Sequence, residues 1–312
     1  MNELDSIFSD DLPEDHRSGV VAVIGRPNVG KSTLINTILG QKVNIVSRKP
    51  QTTRTRQLGI YTSPDYQILF IDTPGIHEPH HKLGEYMVNV ARDTILDADV
   101  ILWILDISLD IQEEDRIIAD LMRSLQNKPP LFLVFNKADK LTEEIDLSEF
   151  RSLGDHDYET RISAQKNIGV DELMSEIKKL MPLGPRYYPA DQLSEVNLRF
   201  ITSEIVREKI IEATSKEIPH SVAVEVTEFK EEDDITRIFA TIFVERDSQK
   251  GIVIGKGGSM LGKIGKQARI ELEGNLDTKV YLELHVKVLK NWRSDERMMR
   301  RFGYNLPDRQ SH

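Results

Sequence analysis

The stretch GRPNVGKS, from Gly25 to Ser32, has the residue types and spacing of a loop that binds phosphate groups. It follows the apolar run VVAVIG, which predicts a buried strand, and it opens a segment that we expect to be helical. Its backbone N–H groups and the helix N-terminus can therefore surround an anion. We expect Lys31 to reach the β- and γ-phosphates of a nucleotide and Ser32 to ligate Mg²⁺. The remaining predicted phosphate contacts in this loop are Asn28, Val29, Gly30 and Thr33.

Three more motifs follow at positions where predicted strands end. DTPG (72–75) provides an acid that can hold Mg²⁺, usually through water, and a glycine amide for the γ-phosphate. NKAD (136–139) provides a carboxylate that can accept hydrogen bonds from both the N1–H and the exocyclic amine of guanine, a donor pair that adenine lacks. SAQ (163–165) places a backbone amide near the guanine O6. These motifs in this order predict a GTP site, with further contacts at Asp72, Gly75, Asn136, Lys137, Asp139, Ser163 and Ala164.

A polar stretch between the first two motifs, residues 42–56, contains the pair Thr52 and Thr53. We expect Thr53 to ligate Mg²⁺ when a γ-phosphate is present, so that the segment orders with GTP and is released after hydrolysis. Ile76 occupies the position where Ras-like proteins carry the glutamine that orients the attacking water. Slow intrinsic hydrolysis is therefore expected, with electrostatic help coming from elsewhere. The predicted catalytic group comprises Lys31, Thr53, Asp72, Gly75 and Asn28.

Two features raise the question of further cations. Asn28 could help to hold a monovalent cation in the phosphate loop, or it could bond the loop backbone, and the sequence favours neither. The cluster HEPHH (77–81) contains several potential metal ligands, but Pro79 breaks helical spacing and the chain has no cysteine. We therefore expect no dedicated metal site at this cluster.

A second glycine-rich loop, GKGGSMLGKI (255–264), looks like a phosphate-binding loop but has Ile264 where Ser or Thr would follow. It also follows two predicted strands and a short segment, where a phosphate-binding loop would follow a core strand. Read as I-G-x-x-G from Ile254, it matches the loop of a KH domain, whose glycines let a single-stranded nucleic-acid backbone approach closely. The alternative is a glycine turn that only caps a helix. The surrounding order helix–strand–strand–loop–helix–strand favours a type II KH domain.

The charge distribution supports the KH interpretation. The net charge is −10, but the window from Ser248 to Ile270 contains lysines and an arginine and no acid. A local basic surface on an acidic protein is an electrostatic signal for a polyanion, although a solvated helix face would give the same composition. We therefore predict RNA contacts at Lys250, Ile254, Gly255, Lys256, Gly257, Gly258, Lys263, Lys266 and Arg269.

Near-continuous apolar runs in the first half predict strands buried on both faces of a mainly parallel sheet, at 20–25, 67–73, 100–108 and 130–136. Amphipathic segments between these runs predict an α/β P-loop GTPase domain with right-handed crossovers, and an α+β type II KH domain follows. The prolines and glycine of PLGPRYYPADQ mark the break between the two. We place an acidic disordered lead-in at 1–17, the GTPase domain at 18–181, a linker at 182–192, the KH domain at 193–302 and a tail at 303–312.

The composition indicates the compartment. The 312 residues include no cysteine, which excludes disulfides and thiolate metal sites and fits a reducing cytosol. The N-terminus lacks the basic start and apolar core of a signal peptide, and no apolar run reaches the roughly 18 residues that span a bilayer. We expect a cytoplasmic protein.

Several segments together resemble the Era family of bacterial GTPases over residues 18–302: GRPNVGKST, QTTR, DTPGIH, KLGEYM, NKAD, GPRYYPADQ, REKI and VIGKGG. The resemblance implies that the KH groove binds the single-stranded 3′ end of 16S rRNA during 30S ribosomal subunit assembly, and that GTP hydrolysis times release. It also implies stimulation by K⁺ and a peripheral position at the inner face of the cell membrane. We expect GTP or GDP and Mg²⁺ as ligands, and a monomer. The departures are the acidic lead-in and SAQ, where the family more often has SA followed by an aliphatic residue or lysine.

Two other functions fit parts of the sequence. An RNA-binding scaffold that holds nucleotide as a structural ligand, with negligible turnover, is consistent with Ile76. A membrane-surface GTPase is suggested by the basic segment KNWRSDERMMRR (290–301). A single-turnover assay with and without RNA tests the first alternative, and liposome sedimentation at two salt concentrations tests the second.

Overall fold

A computed structural model describes residues 12–40, 57–75, 82–188, 198–214, 218–232, 234–276 and 278–304, with the side chains of 82–85 and 220 outside that description. The described residues form two compact units: 12–40, 57–75 and 87–188 make up the first, and 82–86, 198–214, 218–232, 234–276 and 278–304 belong to the second. Among the described residues, no helix is both long and apolar enough to cross a membrane.

A six-stranded sheet forms the centre of the first unit, in the order β2-β3-β1-β4-β5-β6. Strand β2 is antiparallel to β3, and every other neighbouring pair is parallel. The strands are β1 Arg17–Ile24, β2 Gln57–Thr62, β3 Tyr66–Asp72, β4 Val100–Asp106, β5 Leu131–Asn136 and β6 Tyr158–Arg161.

Helices cover both faces of this sheet, which explains why its inner strands are continuously apolar. They are α1 Lys31–Leu39, α2 Lys82–Leu96, α3 Glu113–Ser124, α4 Ser148–Arg151 and α5 Val170–Leu180. Helices α1 and α5 contribute to the core that includes Leu102 of β4. Helices α2, α3 and α4 contribute to the other core, which includes the neighbouring Trp103. Successive residues of β4 thus enter opposite cores, as the two-residue period of a strand requires.

The four predicted strands are present, with small differences at their ends, whereas the apolar runs do not predict β2 and β6. These two strands are the edges of the sheet, and each pairs with a single neighbour. Edge strands are less enclosed, so a continuous apolar run is not required of them. The four residues of β6, YETR, are accordingly half-buried or exposed.

The carboxyl ends of the parallel strands β1, β3, β4 and β5 meet at one edge of the sheet. That edge therefore brings together the residues that end or follow these strands. They are Gly25, Asp72, Asp106 and Asn136.

The start of the predicted linker is bound to the first unit. The Oε1 of Gln67, a fully buried side chain of β3, accepts hydrogen bonds from the backbone N–H groups of Tyr187 (2.8 Å) and Tyr188 (2.9 Å). A side-chain nitrogen of His16 lies 2.8 Å from the Gly184 carbonyl oxygen. The segment 182–188 is thus held to the first unit by hydrogen bonds. Residues 189–197 lie outside the described residues.

The second unit packs helices against a three-stranded sheet of order β7-β8-β9, in which β7 is antiparallel and β9 parallel to β8. Its core contains Ile210, Ile242, Ile264 and Val286. The elements are α6 Leu198–Ala213, α7 Ile218–Ser221, β7 Ala223–Glu232, β8 Ile235–Val244, α8 Asp247–Ile254, α9 Ser259–Leu276, β9 Lys279–Val288 and α10 Glu296–Arg301.

The second unit contains two helices, α7 and α8, that the expected order of elements does not include. The first element of the expected order, a single helix, is present as α6 and is followed by the separate helix α7. The short segment before the glycine loop is helical, as α8, although it contains Gly251 and the β-branched Ile252 and Val253. The reason is tertiary, because Val253 is fully buried in the core of this unit and packing outweighs the weak helix propensity.

Candidate functional site

The phosphate loop connects β1 to α1 and lies tightly on the sheet. A Cβ atom at Gly25 would lie 2.6 Å from the carbonyl oxygen of Ile104 in β4, so no side chain fits there. Gly30, directly before α1, has a φ of 108°, in the left-handed region that favours glycine. These two positions therefore require glycine for packing and for backbone conformation.

Lys31 is buried within this loop. Its Nζ donates to the carbonyl oxygens of Gly25 (2.9 Å) and Arg26 (3.0 Å). Burial lowers the pKa of Lys31 to about 8, an effect that the charge of Asp72 only partly opposes. A desolvated ammonium gains strongly from an anion, because phosphate oxygens would supply negative charge that water no longer screens.

The Ser32 hydroxyl and the Asp72 carboxylate lie together beside Lys31 and offer oxygen ligands for a metal ion. The Ser32 hydroxyl donates to the Asp72 carboxylate across 2.5 Å, and Asp72 is fully buried. Hydroxyl and carboxylate oxygens are the ligands that Mg²⁺ prefers, so these two residues fit the predicted metal. When bound, Mg²⁺ would neutralise phosphate charge next to them.

The DTPG segment approaches the phosphate loop closely. A Cβ atom at Gly75 would lie 2.8 Å from the backbone nitrogen of Pro27, so the contact requires a residue without a side chain. The Thr73 hydroxyl donates to the Val23 carbonyl at 2.8 Å and joins the end of β3 to β1. The predicted Thr53, Ile76 and the cluster at 77–81 lie outside the described residues.

Asn136 links the base-recognition loop to the phosphate loop. Its Nδ2 donates to the Val29 carbonyl at 2.7 Å, and its Oδ1 accepts from the Ala164 amide at 3.0 Å. The exposed Asp139 accepts from the Ser163 hydroxyl at 2.6 Å. The structure therefore brings NKAD, SAQ and the phosphate loop together, and the Ala164 amide of SAQ is bonded to Asn136 here.

Sequence reasoning missed charged residues at this edge. Arg26, inside the phosphate loop, and Asp106, the last residue of β4, are both buried. A signal was available for Asp106, since it ends a strongly apolar run at the same sheet edge as Asp72 and Asn136. Among the described residues, no group of three or more His, Cys, Asp or Glu side chains could hold a metal ion.

The second glycine loop lies between two helices, α8 and α9. Gly255, Gly257 and Gly258 have φ values of 72°, 60° and 80°. Within the described part of the chain, and apart from the glycine itself and its two chain neighbours, no heavy atom lies within 4 Å of a Cβ built at Gly257 or Gly258. Ile264, which stands where a phosphate-binding loop has a hydroxyl, is fully buried in the core of this unit. The loop is therefore open at Gly257 and Gly258, whereas a Cβ atom at Gly255 would lie 2.7 Å from the Cβ of Met260.

The predicted basic residues are on and around these two helices. Lys256, Lys263, Lys266 and Arg269 are exposed, and Lys250 is half-buried. The half-buried Ile254 packs against the core. Sequence reasoning missed two exposed apolar side chains on the same helices. These are Ile252 (52% exposed) and Ile270 (56% exposed), which could contact nucleic-acid bases.

The basic segment 290–301 is packed onto its own unit. Trp292 and Met299 are fully buried. The guanidinium of Arg293 donates to Glu245 at 2.5 Å, and that of Arg301 donates to Glu225 at 2.7 Å. The largest apolar side chain of this segment and two of its cations are therefore committed to contacts inside the protein.

Comparison with known proteins shows the same two parts. Residues 20–137 match the family model described as 50S ribosome-binding GTPase, and residues 217–293 match the KH domain model. GTPase Era of Staphylococcus epidermidis is 46% identical over 294 residues, which are 93% of this chain and 98% of that protein.

Solved structures of Era proteins have the same fold as this chain. A crystal structure of Era in complex with MgGDPNP and nucleotides 1506–1542 of 16S ribosomal RNA is similar with a TM-score of 0.88 and 41% identity. The match covers 93% of this chain and 100% of that one. A variant of Aquifex aeolicus Era bound to GDP.AlF4⁻ gives the same values. The fold class and the resemblance predicted from the sequence are thus confirmed, and the chain belongs to the Era family of GTPases.

Proposed function

We propose that this chain is a GTP-hydrolysing switch that binds the single-stranded 3′ end of 16S rRNA through its KH unit and acts in 30S subunit assembly. The observation that carries the proposal is the near full-length likeness to an Era structure that holds both MgGDPNP and nucleotides 1506–1542 of 16S rRNA. The two glycine-rich loops of this chain have different geometries, and each suits one of those ligands.

In the nucleotide site, we assign Lys31 to the β- and γ-phosphates, because its buried ammonium lacks a fully compensating anion. We assign Ser32, Asp72 and Thr53 to Mg²⁺, and the backbone of Gly75 to the γ-phosphate. Asn28 is assigned to the phosphate loop, where a bound K⁺ would add positive charge near the reacting phosphate. The base contacts are assigned to Asn136, Lys137, Asp139, Ser163 and Ala164.

In the RNA site, we assign the sugar–phosphate backbone to the loop 255–258, since the space over Gly257 would let a strand approach closely. The exposed Lys256, Lys263, Lys266 and Arg269 would neutralise phosphates. The exposed Ile252 would contact a base.

Binding of a labelled oligonucleotide from the 3′ terminus of 16S rRNA tests the proposal. We would titrate it into the nucleotide-free, GDP-bound and non-hydrolysable-GTP-bound protein at fixed salt. Tighter binding in the GTP state is expected, and by linkage the RNA must then raise GTP affinity by the same factor. Equal affinity in all three states would mean that the two sites are independent, which contradicts the switch.

Single-turnover hydrolysis separates the switch from a scaffold that holds nucleotide as a structural ligand. Protein loaded with stoichiometric GTP should release phosphate slowly alone and faster with the oligonucleotide. Absence of phosphate release over hours under both conditions would favour the scaffold.

We also propose that the protein is a cytoplasmic monomer that contacts the inner face of the membrane peripherally. The membrane contact would depend on the exposed Lys290, Arg297 and Arg300 of the basic segment 290–301, since Arg293 and Arg301 are paired with Glu245 and Glu225. Sedimentation with anionic liposomes should then decrease between low and high salt. No sedimentation at low salt would remove the membrane contact and leave the nucleotide and RNA assignments unchanged.

A further inference from the structure

Four charged side chains of alternating sign lie in a row beside the nucleotide site. The Nε of Arg26 donates to Asp115 at 3.0 Å, and its Nη2 lies 3.7 Å from the Oδ2 of Asp106. The Nζ of Lys137 donates to that same Oδ2 at 2.5 Å. Arg26, Asp106 and Asp115 are all buried, and the Lys137 side chain is 21% exposed. Asp106 is thus the carboxylate that the two cations share.

The position of Asp106 follows from the order of the strands. Strand β4 lies between β1, which leads into the phosphate loop, and β5, which leads into NKAD. The last residue of β4 therefore lies between the two nucleotide-binding loops. Arg26 comes from the first loop and Lys137 from the second, so Asp106 contacts one cation from each.

The two loops are also joined directly, through carbonyl groups of the phosphate loop. The Nζ of Lys137 donates to the Asn28 carbonyl at 2.7 Å, and Asn136 donates to the Val29 carbonyl at 2.7 Å. The first of these bonds comes from the ammonium that Asp106 holds. The placement of the Lys137 ammonium therefore affects both loops.

The Asp106 carboxylate is itself held firmly. Its Oδ1 accepts hydrogen bonds from the hydroxyl (2.6 Å) and amide (3.1 Å) of Ser108. Burial alone would raise the pKa of Asp106, but the hydrogen bonds from Lys137 and Ser108 outweigh it and lower that pKa. Asp106 is thus a fixed anion, and removing its charge would leave two poorly solvated cations with less compensation.

We propose that Asp106 is a positioning residue for guanine-nucleotide binding, which acts by holding the Lys137 ammonium and the Arg26 guanidinium so that the base loop and the phosphate loop keep their spacing. Asp115 supports this arrangement through Arg26, and its own carboxylate also accepts from the Gln112 amide at 3.1 Å, at the start of α3. This inference rests on the proposed GTP site and adds a group that its motifs do not include.

The test is GDP affinity of Asp106→Asn, a change that keeps the shape of the side chain and removes its charge. We expect GDP to bind about 10- to 100-fold more weakly, the range for losing charge-assisted contacts. Asp99→Asn is the matched control. Asp99 precedes the same strand at the opposite edge and accepts from the Val20 amide at 2.8 Å, so this variant should bind GDP within about twofold of wild type.

A double-mutant cycle with Lys137→Met distinguishes positioning from a general loss of structure. If Asp106 acts through Lys137, Asp106→Asn should weaken GDP binding at least threefold less in the Lys137→Met background than in wild type. Equal losses in both backgrounds would overturn the proposal, because Asp106 would then act independently of the cation that it holds.

Ser108→Ala is a milder variant for the case in which Asp106→Asn does not fold. It removes one hydrogen bond to the carboxylate and keeps the charge, so a loss of GDP affinity of about two- to fivefold is expected. Unchanged affinity in a folded Ser108→Ala and in a folded Asp106→Asn would each contradict the proposal. If the wild-type protein fails to bind GDP, the proposed function is wrong. If the wild-type protein and the variants all bind GDP with the same affinity, only this inference is wrong.

Discussion

The two glycine-rich loops are similar in sequence but differ in how closely the rest of the protein surrounds them. The phosphate loop joins a strand to a helix, and side chains at Gly25 and Gly75 would collide with neighbouring backbone atoms. The loop at 255–258 joins two helices, and a Cβ atom at Gly257 or Gly258 would have no described atom within 4 Å beyond its own residue and the two chain neighbours. The first loop is closed by the protein, whereas the second is open to solvent.

This difference matches the size of the ligands that we propose. A nucleotide can be surrounded, so the first loop buries its lysine and desolvates it before the ligand arrives, which strengthens each electrostatic contact. A polynucleotide must pass through its site, so the second loop keeps its cations hydrated and exposed. Affinity at the open loop should therefore depend on salt more than affinity at the closed loop.

The largest expected effect is on base selectivity at the closed site. Asp139→Asn should weaken GTP binding by about a thousandfold and improve xanthine-nucleotide binding, because an amide cannot accept both guanine hydrogen bonds. Competition between GTP and XTP measures this selectivity. Asp146→Asn is the control, since Asp146 is exposed and also accepts from a serine hydroxyl at 2.6 Å. RNA affinity of the nucleotide-free protein should not change, and unaltered GTP preference would refute the base assignment.

A smaller effect is expected from charge placed on the open loop. Gly257→Asp should weaken RNA binding by about 10- to 100-fold through repulsion and obstruction of the strand, while GDP affinity stays constant. Gly274→Asp, at the other end of α9 and also in open space, should leave RNA binding nearly unchanged. Gly257→Asn separates bulk from charge. Loss of both GDP and RNA binding in Gly257→Asp would indicate misfolding.

The closed loop should respond to pH. Lys31 has a pKa lowered to about 8 without ligand, and nucleotide phosphates would raise it again. The bound state then holds more protons above pH 8, so GDP affinity should fall with rising pH by up to about tenfold per unit, and level off below pH 8. Calorimetry between pH 7 and 9 measures this slope. Lys31→Arg stays charged over this range, so a slope that persists in it must come from another group.

The smallest expected effect concerns one cation of the open loop. Lys256→Ala should weaken RNA binding only a few-fold and reduce the slope of log affinity against log salt by about 0.7, the value for one contact to a single strand. Titrations at several salt concentrations measure the slope. Lys230→Ala is a control in the same unit, because Lys230 is paired with Glu228 at 2.7 Å. Equal slopes for wild type and Lys256→Ala would place the RNA backbone away from Lys256.

Much of the candidate site was predictable because its residues occur in short motifs at the ends of apolar strands. Asp72 and Asn136 both end such strands, and parallel strands bring their carboxyl ends to one edge. The pairing of Asp106 with Arg26 and Lys137 was not predictable in this way. Those three residues are far apart in sequence, and only the neighbouring positions of β1, β4 and β5 bring them together.

The amino-acid sequence by itself determined the alternation of strands and helices, the position of both glycine loops and the chemistry that each can perform. These depend on local spacing, which a sequence contains directly. The tertiary structure alone decided that Ile264 is a core residue, that α8 is a helix and that Gln67 binds the start of the linker. It also decided that the Lys31 ammonium is buried and the side chain of Lys256 exposed. Burial and long-range pairing depend on which elements pack together, and that free energy belongs to the whole fold.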